Sequence, residues 1–394
     1  MKYNQIDTLT QKYLHEAIDF RRHLHQYPEL SFQEHKTARW IGQQLTLLKI
    51  EHRMGVGGNS IIAKLESNPE QGLAIALRAD FDALPIQEET HLPFESHHAG
   101  VMHACGHDFH TASLLTTAKV LNDSKSLWNG TIYLIFQHAE EVLPGGAIAV
   151  LNDHPFDGPQ PIAIVGQHVA PELPVGSIGL KSGRYMASSD EIYIKIHGKG
   201  GHGALPQHIN DTVLASAQMI VNLQQVSARL APPTIPTVLS FGRFIANGAT
   251  NVIPDLVQIE GTFRTFDENW RSKAHEHIIH IAGSTAESYG CTCQTEIRKG
   301  YPVLRNDEDL YQKARAVALD FVGGKQLVEL DYRMTSEDFS YYSQAYPSLF
   351  YRIGVGHADE SKNHPLHSSK FSLNEAGFEN AIGMMVRLSI KLLS

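Results

Sequence analysis

Cysteine is scarce: there are three in 394 residues, an odd number. Cys291 and Cys293 are close neighbours on one face of a short predicted strand, which is poor geometry for a bridge to each other. This argues against a disulfide framework and makes a reducing cytoplasm the simplest setting. Long apolar runs are also missing. None approaches the ~20 residues of a membrane span, and the N-terminal MKYNQIDTLTQKYLHEAIDFRRHLHQ has neither the apolar stretch nor the small-residue cleavage site of a signal peptide. Nor is there an excess of positive charge. The formal net charge is −9, which argues against nucleic acid or an anionic membrane as the main partner. No internal repeat and no low-complexity segment is present.

What is present is an ordinary soluble composition, with one unusual count, 23 histidines. The length favours about two domains. Residues 8–48 read as two helices separated by YPELS, with Pro28 as the breaker. Short apolar runs follow at 59–66 and 72–80, then a helix at 111–122, a strand at 131–137 and another at 161–168 that ends on a histidine. Near-continuous apolar strands alternating with helices predict an α/β domain whose sheet is covered on both faces. Near Lys181 the pattern changes to half-exposed alternation. The order strand (189–198), helix (211–229), strands (237–246 and 256–266), helix (268–290), strand (291–300) resembles a ferredoxin-like split βαβ unit. The predicted fold is therefore α/β, a mixed sheet flanked by helices, with an inserted α+β ferredoxin-like domain. The boundaries are 1–181 and 299–394 for the two parts of the first domain and 182–298 for the insertion, and a C-terminal helix at 374–393 closes the chain.

The stretch HACGHDFH, residues 103–110, crowds Cys105 among His103, His107, Asp108 and His110. The predicted strands of the first domain end on residues of the same kind: Asp80 and Asp82 after 72–79, Glu140 and Glu141 after 131–137, and His168 after 161–167. In open α/β sheets, sites form beyond the carboxyl ends of the strands. His367, in HPLHSSKF before the last helix, is a further candidate. Taken singly, each has an ordinary reading: a solvated histidine, a wet turn, a capping aspartate, a small buried thiol. Their coincidence at successive strand ends favours a metal site. Hydrolytic metal sites need this mixture. A few side chains hold a divalent ion and leave a position open for water, whose pKa falls toward ~7. A carboxylate not used as a ligand then takes the proton. The pair Glu140–Glu141 can supply a base and a ligand.

The chain resembles the amidohydrolase branch of the glutamate-carboxypeptidase and aminoacylase superfamily of metallopeptidases, which includes hippurate hydrolases, N-acetyldiaminopimelate deacetylases and plant hydrolases of indole-acetyl amino acids. The resemblance runs nearly end to end, through RRHLHQYPELSFQE (21–34), RADFDALPIQE (78–88), HACGHDFHTA (103–112), HAEEVLPGGA (138–147), GKGGHGALPQ (198–207), NVIPD (251–255), GTFRTF (261–266), SEDFSYY (336–342) and LHSSKF (366–371). It implies that Cys105, His107, Glu141, His168 and His367 bind two divalent ions, Zn²⁺ or Mn²⁺ with Co²⁺ and Ni²⁺ as alternatives. It implies Glu140 as general base and Asp82 as the carboxylate that orients a ligand. It makes the insertion a lid and dimerisation domain whose His202, Asn251 and Arg264 reach the substrate, in a homodimer. Two positions depart from the family: His138 stands where proline is usual and Phe81 where methionine is usual, and His138 adds an imidazole beside the site. GKGGHG lacks the Gly-Lys-Ser/Thr ending of a phosphate-binding loop.

The expected activity is cleavage of a small-molecule N-acyl amino acid in the cytoplasm, without nucleic acid or membrane. A dipeptidase or carboxypeptidase is the rival within hydrolases. A non-catalytic metal- or ligand-binding relative is the rival outside them, and the retained carboxylate at Glu140 argues against it. The bridging ligand stays open between Cys105, an aspartate and water, as do the acyl group and the amino acid.

Overall fold

The segment AIALRAD, residues Ala74–Asp80, is buried along its whole length, as expected of a strand covered on both faces. It sits near the centre of a mixed sheet in the computed structural model, which describes residues 2–394. Among the described residues, eight strands form this sheet: β1 (Glu51–Val56), β2 (Ser60–Ser67), β3 (Ala74–Asp80), β4 (Gly130–Gln137), β5 (Ile164–Pro174), β6 (Ile178–Leu180), β7 (Leu327–Glu329) and β8 (Ser348–Gly356). Their spatial order is β1-β2-β4-β3-β5-β8-β6-β7. β3 pairs in parallel with β4 on one side and β5 on the other, so successive connections leave β3 in opposite directions. That reversal opens a crevice at the carboxyl ends of the strands.

The helices that matter for the site are α1 (Lys2–Gln26), α2 (His35–Leu47), α3 (His107–Asp123) and the C-terminal α4 (Gly377–Leu392). α3 is buried on 14 of its 17 residues, because it is wedged between the sheet and α1 and α4. No helix among the described residues is long and apolar enough to cross a membrane. The three cysteines are free thiols.

This sheet and its helices belong to a compact unit made of the chain up to Gly183, Arg305–Asp331 and Asp338–Ser394. A second unit comprises Arg184–Leu304 with Tyr332–Glu337. Its antiparallel sheet runs in the order Thr237–Ala246, Leu256–Thr265, Asp190–His197, Thr292–Lys299, with helices Thr212–Leu223 and Glu268–Ser288 packed on it. Ile192, Ile194 and Ile196 alternate with more exposed residues and form the core with Ala215, Met219, Ile278 and Ala282. The unit begins and ends a few residues later than 182–298 because pairing continues past the last strand: Gly300 N–H donates to Ser189 O at 2.8 Å and Ser189 N–H to Tyr301 O at 2.9 Å. The segment 332–337 joins it through Arg333, whose N–H donates to Tyr185 O at 3.0 Å.

One buried ion pair anchors this second unit. Asp190 accepts from Arg271 Nε at 2.9 Å and from His275 Nε2 at 2.7 Å. Burial works to raise its carboxyl, but these donors outweigh it and hold the group below the usual aspartate range. Its contribution is therefore complete above about pH 4 and is lost as pH falls through the lowered folded value. Asp190→Asn is expected to cost roughly 3 kcal/mol, the low end for breaking a buried pair, since Glu268 still faces Arg271 at 3.1 Å. A thermal melt near neutral pH reads this directly, and an unchanged midpoint would contradict it.

Candidate metal centre

The site is built where β3, β4 and β5 deliver their carboxyl ends. Arg78 of β3 is paired with Gly166 of β5, so two residues further on Asp80 and His168 stand at the same level. His168 does not end its strand, as its sequence position suggests. β5 continues to Pro174 because β8 pairs with it in parallel beyond that level, Arg352 opposite His168. The histidine is thus fixed inside the ladder rather than on a loop. α3 likewise starts at His107 rather than at residue 111, so His107, Asp108 and His110 occupy its first turn. Gly106 makes this start possible: it has φ +83, and a Cβ there would stand 2.5 Å from Val169 Cγ2. His367 arrives on the loop before α4, with its N–H donating to Ala104 O at 2.8 Å.

These elements bring five of the expected residues together. The donor atoms of Cys105, His107 and His168 lie within 4.8 Å of one another, and so do those of Cys105, Glu141 and His367. Cys105 belongs to both groups. Its Sγ is 3.4 Å from His168 Nε2, and His367 Nε2 is 3.3 Å from Glu141 Oε1. A third group joins His107, Glu140 and Glu141. Asp82 orients this assembly. Its carboxylate accepts from His107 Nδ1 at 3.1 Å, Ser31 Oγ at 2.7 Å and the Glu141 N–H at 2.9 Å. His168 Nδ1 donates to Val169 O at 2.8 Å. Both imidazoles therefore turn Nε2 inward, the arrangement of metal-binding histidines.

Whether the donors suit a cation is tested by what they lack. His107 Nε2 and Glu141 Oε1 are buried without a hydrogen-bond partner. Leaving one such group unsatisfied costs about 1–3 kcal/mol, and divalent ions held by these donors would relieve both. The electrostatics agree. Burial opposes charge on His107, yet the negative charge of Asp80 and the hydrogen bond to Asp82 hold it well above its ordinary value. The adjacent Cys105 and Glu141 push His367 up to about 10. Those protons sit where a divalent ion would draw the same donors together.

The remaining histidines near the site have other tasks. His110 Nδ1 donates to Asp80 Oδ1 at 2.6 Å and its Nε2 accepts from Val169 N at 3.0 Å, so both nitrogens are spent bracing β5 against β3. His138 Nδ1 lies 2.6 Å from Ser60 Oγ, and its ring meets Phe32 edge-on. His103 is buried, which lowers its imidazole to about 4.

Beneath Glu140 lies a network absent from the expected site. Asp338 accepts from Arg78 at 2.7 Å, from Gln137 at 2.7 Å and from the Ala147 N–H at 2.9 Å. Its own N–H donates to Glu140 Oε1 at 3.4 Å. Burial pushes the Asp338 carboxyl up to about 6 against the pull of Arg78. Glu34 is also fully buried, and burial raises it to about 7 although Asn59 and the Ala139 N–H donate to it. Ala139 has φ +51, a left-handed conformation that costs a residue with a Cβ roughly 1–2 kcal/mol. The SEDF and SFQE motifs held Asp338 and Glu34, but a lone acid has no period to mark it as buried.

In the second unit, His202 is exposed on the short strand Gly201–His202, opposite Val252. Its Nδ1 accepts from the Ala204 N–H at 3.1 Å, leaving Nε2 as the N–H donor. Asn251, also exposed, accepts from the Gly203 N–H through its carbonyl at 2.9 Å, so the two share one ribbon. Arg264 lies on a different strand, half-buried, with Nη1 donating to Ser336 Oγ at 3.2 Å.

Residues 76–391 match the model of the group described as Peptidase family M20/M25/M40. The chain is 38% identical to an N-acetylcysteine deacetylase of Bacillus subtilis, over 95% of this chain and 96% of that one. It is 41% identical to an N-acyl-L-amino acid amidohydrolase of Geobacillus stearothermophilus, over 78% of this chain and 83% of the relative. The crystal structure of the YXEP protein of Bacillus subtilis, described as a dinuclear metal binding peptidase of the M20 family, superposes with a TM-score of 0.83 at 36% identity, covering 97% of this chain and 99% of that one.

Proposed function

Because the chain belongs to peptidase family M20/M25/M40, we propose that it hydrolyses the amide bond of N-acyl amino acids, releasing a carboxylic acid and a free amino acid. The observation that carries this reading is a cluster of thiol, imidazole and carboxylate donors in which two consecutive carboxylates, Glu140 and Glu141, share a group with His107. Cys105, His107, Glu141, His168 and His367 would hold two divalent ions, Zn²⁺ or Mn²⁺, with Cys105 common to both donor groups. When bound, the ions supply Lewis acidity toward the scissile carbonyl and toward water. Glu140 takes a proton from the attacking water on its carboxylate and delivers it to the amine nitrogen as the C–N bond breaks. Asp82 keeps His107 and the Glu141 backbone in place throughout.

The second unit acts as the lid and dimerisation domain of a homodimer. The Nε2–H of His202 donates to the developing oxyanion, and Asn251 and Arg264 hold the carboxylate or amide oxygens of the substrate. The free thiols and the negative net charge suit a reducing, cytoplasmic setting.

The test is a substrate screen with the metallated protein. N-acetyl, N-benzoyl or indole-acetyl amino acids are expected to be cleaved and free dipeptides to be left intact. Preference for dipeptides would move the enzyme to the peptidase side of the family. Chelation is expected to abolish turnover and to expose the Cys105 thiol to titration, which is silent while metal is bound. Rapid alkylation of Cys105 in the fully metallated protein would show that it is not a ligand.

A further inference from the structure

The turn that presents Glu140 and Glu141 lies outside the strand ladder. β4 ends at Gln137, and the next residues leave the sheet through the left-handed Ala139. Three side chains from three separate places capture the backbone there. The His138 N–H donates to Ser60 Oγ at 3.1 Å, the Ala139 N–H to Glu34 Oε1 at 2.8 Å and the Glu141 N–H to Asp82 Oδ2 at 2.9 Å. The Ala139 carbonyl accepts from the Gly146 N–H at 2.8 Å, where a Cβ on residue 146 would overlap the His138 carbonyl. The unusual φ is therefore imposed from outside.

Two of the three captors have other work. Ser60 also contacts the His138 ring, and Asp82 orients His107. Glu34 has no such task. It stands just before α2, is fully buried, and spends one oxygen on Ala139 and the other on Asn59 Nδ2 at 3.0 Å. Its hydrogen bond is to the N–H of the residue immediately before the base. We propose that Glu34 is a positioning residue for the hydrolysis: by holding the left-handed peptide at Ala139, it aims the Glu140 carboxylate at the reacting water. This rests on Glu140 being the base. Without the capture, Ala139 relaxes toward negative φ, the chain leaves the turn in another direction, and the carboxylate is displaced. A misplacement of about 1 Å is enough to cost on the order of 10²-fold.

The experiment is a double-mutant cycle on the metallated enzyme, with kcat and KM on an N-acetyl amino acid and metal content measured for each variant. Glu34→Ala is expected to lower kcat roughly 10- to 100-fold, with KM and metal content essentially unchanged. Glu34→Asp keeps the charge but withdraws the acceptor by one methylene. It is expected to lower kcat about tenfold, and it serves if Glu34→Ala does not fold. Glu34→Gln, whose amide oxygen still accepts from Ala139, is expected to restore most of the activity. In a Glu140→Gln background the loss from Glu34→Ala or Glu34→Asp is expected to shrink to less than about threefold, because the base it serves is already gone. The same loss in both backgrounds would overturn the proposal, as would a loss explained by missing metal, or full kcat in a folded, metallated Glu34→Ala or Glu34→Asp. Failure of the underlying reading looks different: Glu140→Gln alone would then keep wild-type kcat.

Discussion

Glu140→Gln is expected to keep its metal and lose ~10²–10⁴ of kcat, about 3–5 kcal/mol of transition-state stabilisation. The substitution preserves shape, and the amide oxygen still accepts from the Asp338 N–H, now 3.4 Å from the carboxylate. What it removes is the capacity to take a proton. The neighbouring carboxylate makes the control. Glu141 shares a donor group with Cys105 and His367 and has a buried oxygen without a partner, so Glu141→Gln is expected to lose metal together with activity. Metal analysis alongside steady-state kinetics separates the two roles. Near wild-type turnover in Glu140→Gln would remove it as the base, and metal loss from that variant would make it a ligand.

The second large effect concerns His202. It is exposed, and its Nδ1 accepts from the Ala204 N–H. Removing one oxyanion donor costs ~10²–10³ in kcat, and His202→Ala is expected to fall in that range. If the histidine serves the partner's site, two inactive proteins restore each other. Unfolding His202→Ala and Glu140→Gln together and refolding them with metal gives mixed dimers. In these, the subunit lacking the histidine still has Glu140 and borrows His202 from its neighbour. Random mixing makes about half the dimers mixed, each with one complete site, so about a quarter of wild-type activity returns, by the symmetry of a two-fold dimer. No recovery from verified mixed dimers would confine His202 to its own chain or remove it from the reaction.

How much of this was legible in the sequence depended on the kind of signal. Apolar runs revealed β3 and β4, and the acids just after them pointed to a crevice, because strand ends in an α/β sheet gather on one side. Cys105 and His107 were visible because thiol, imidazole and carboxylate crowd one short stretch before a helix. The start of α3 was less clear, since a helix N-terminus at a left-handed glycine has no capping side chain to read; Gly106 makes no side-chain cap. His168 looked terminal because its strand loses apolar character there, while β8, from far along the chain, carries the ladder onward. Glu34 and Asp338 were quoted inside motifs but given no task. Their partners Ala139 and Ala147 stand 105 and 191 residues away, and only folding makes those distances short.

β8 enters the sheet between β5 and β6, although it is made from residues 348–356. A ribosome delivers the chain N-terminus first, at ~5–20 residues per second. During that time β5 has an open edge where β8 belongs, and His367 does not yet exist. Four of the five donors emerge about 200 to 260 residues before the fifth. The donor group of Cys105, Glu141 and His367 is thus complete only late in synthesis. A nascent or truncated chain ending before residue 348 exposes a bare strand edge to its neighbours, so truncation before that point is expected to produce aggregates rather than weak enzymes.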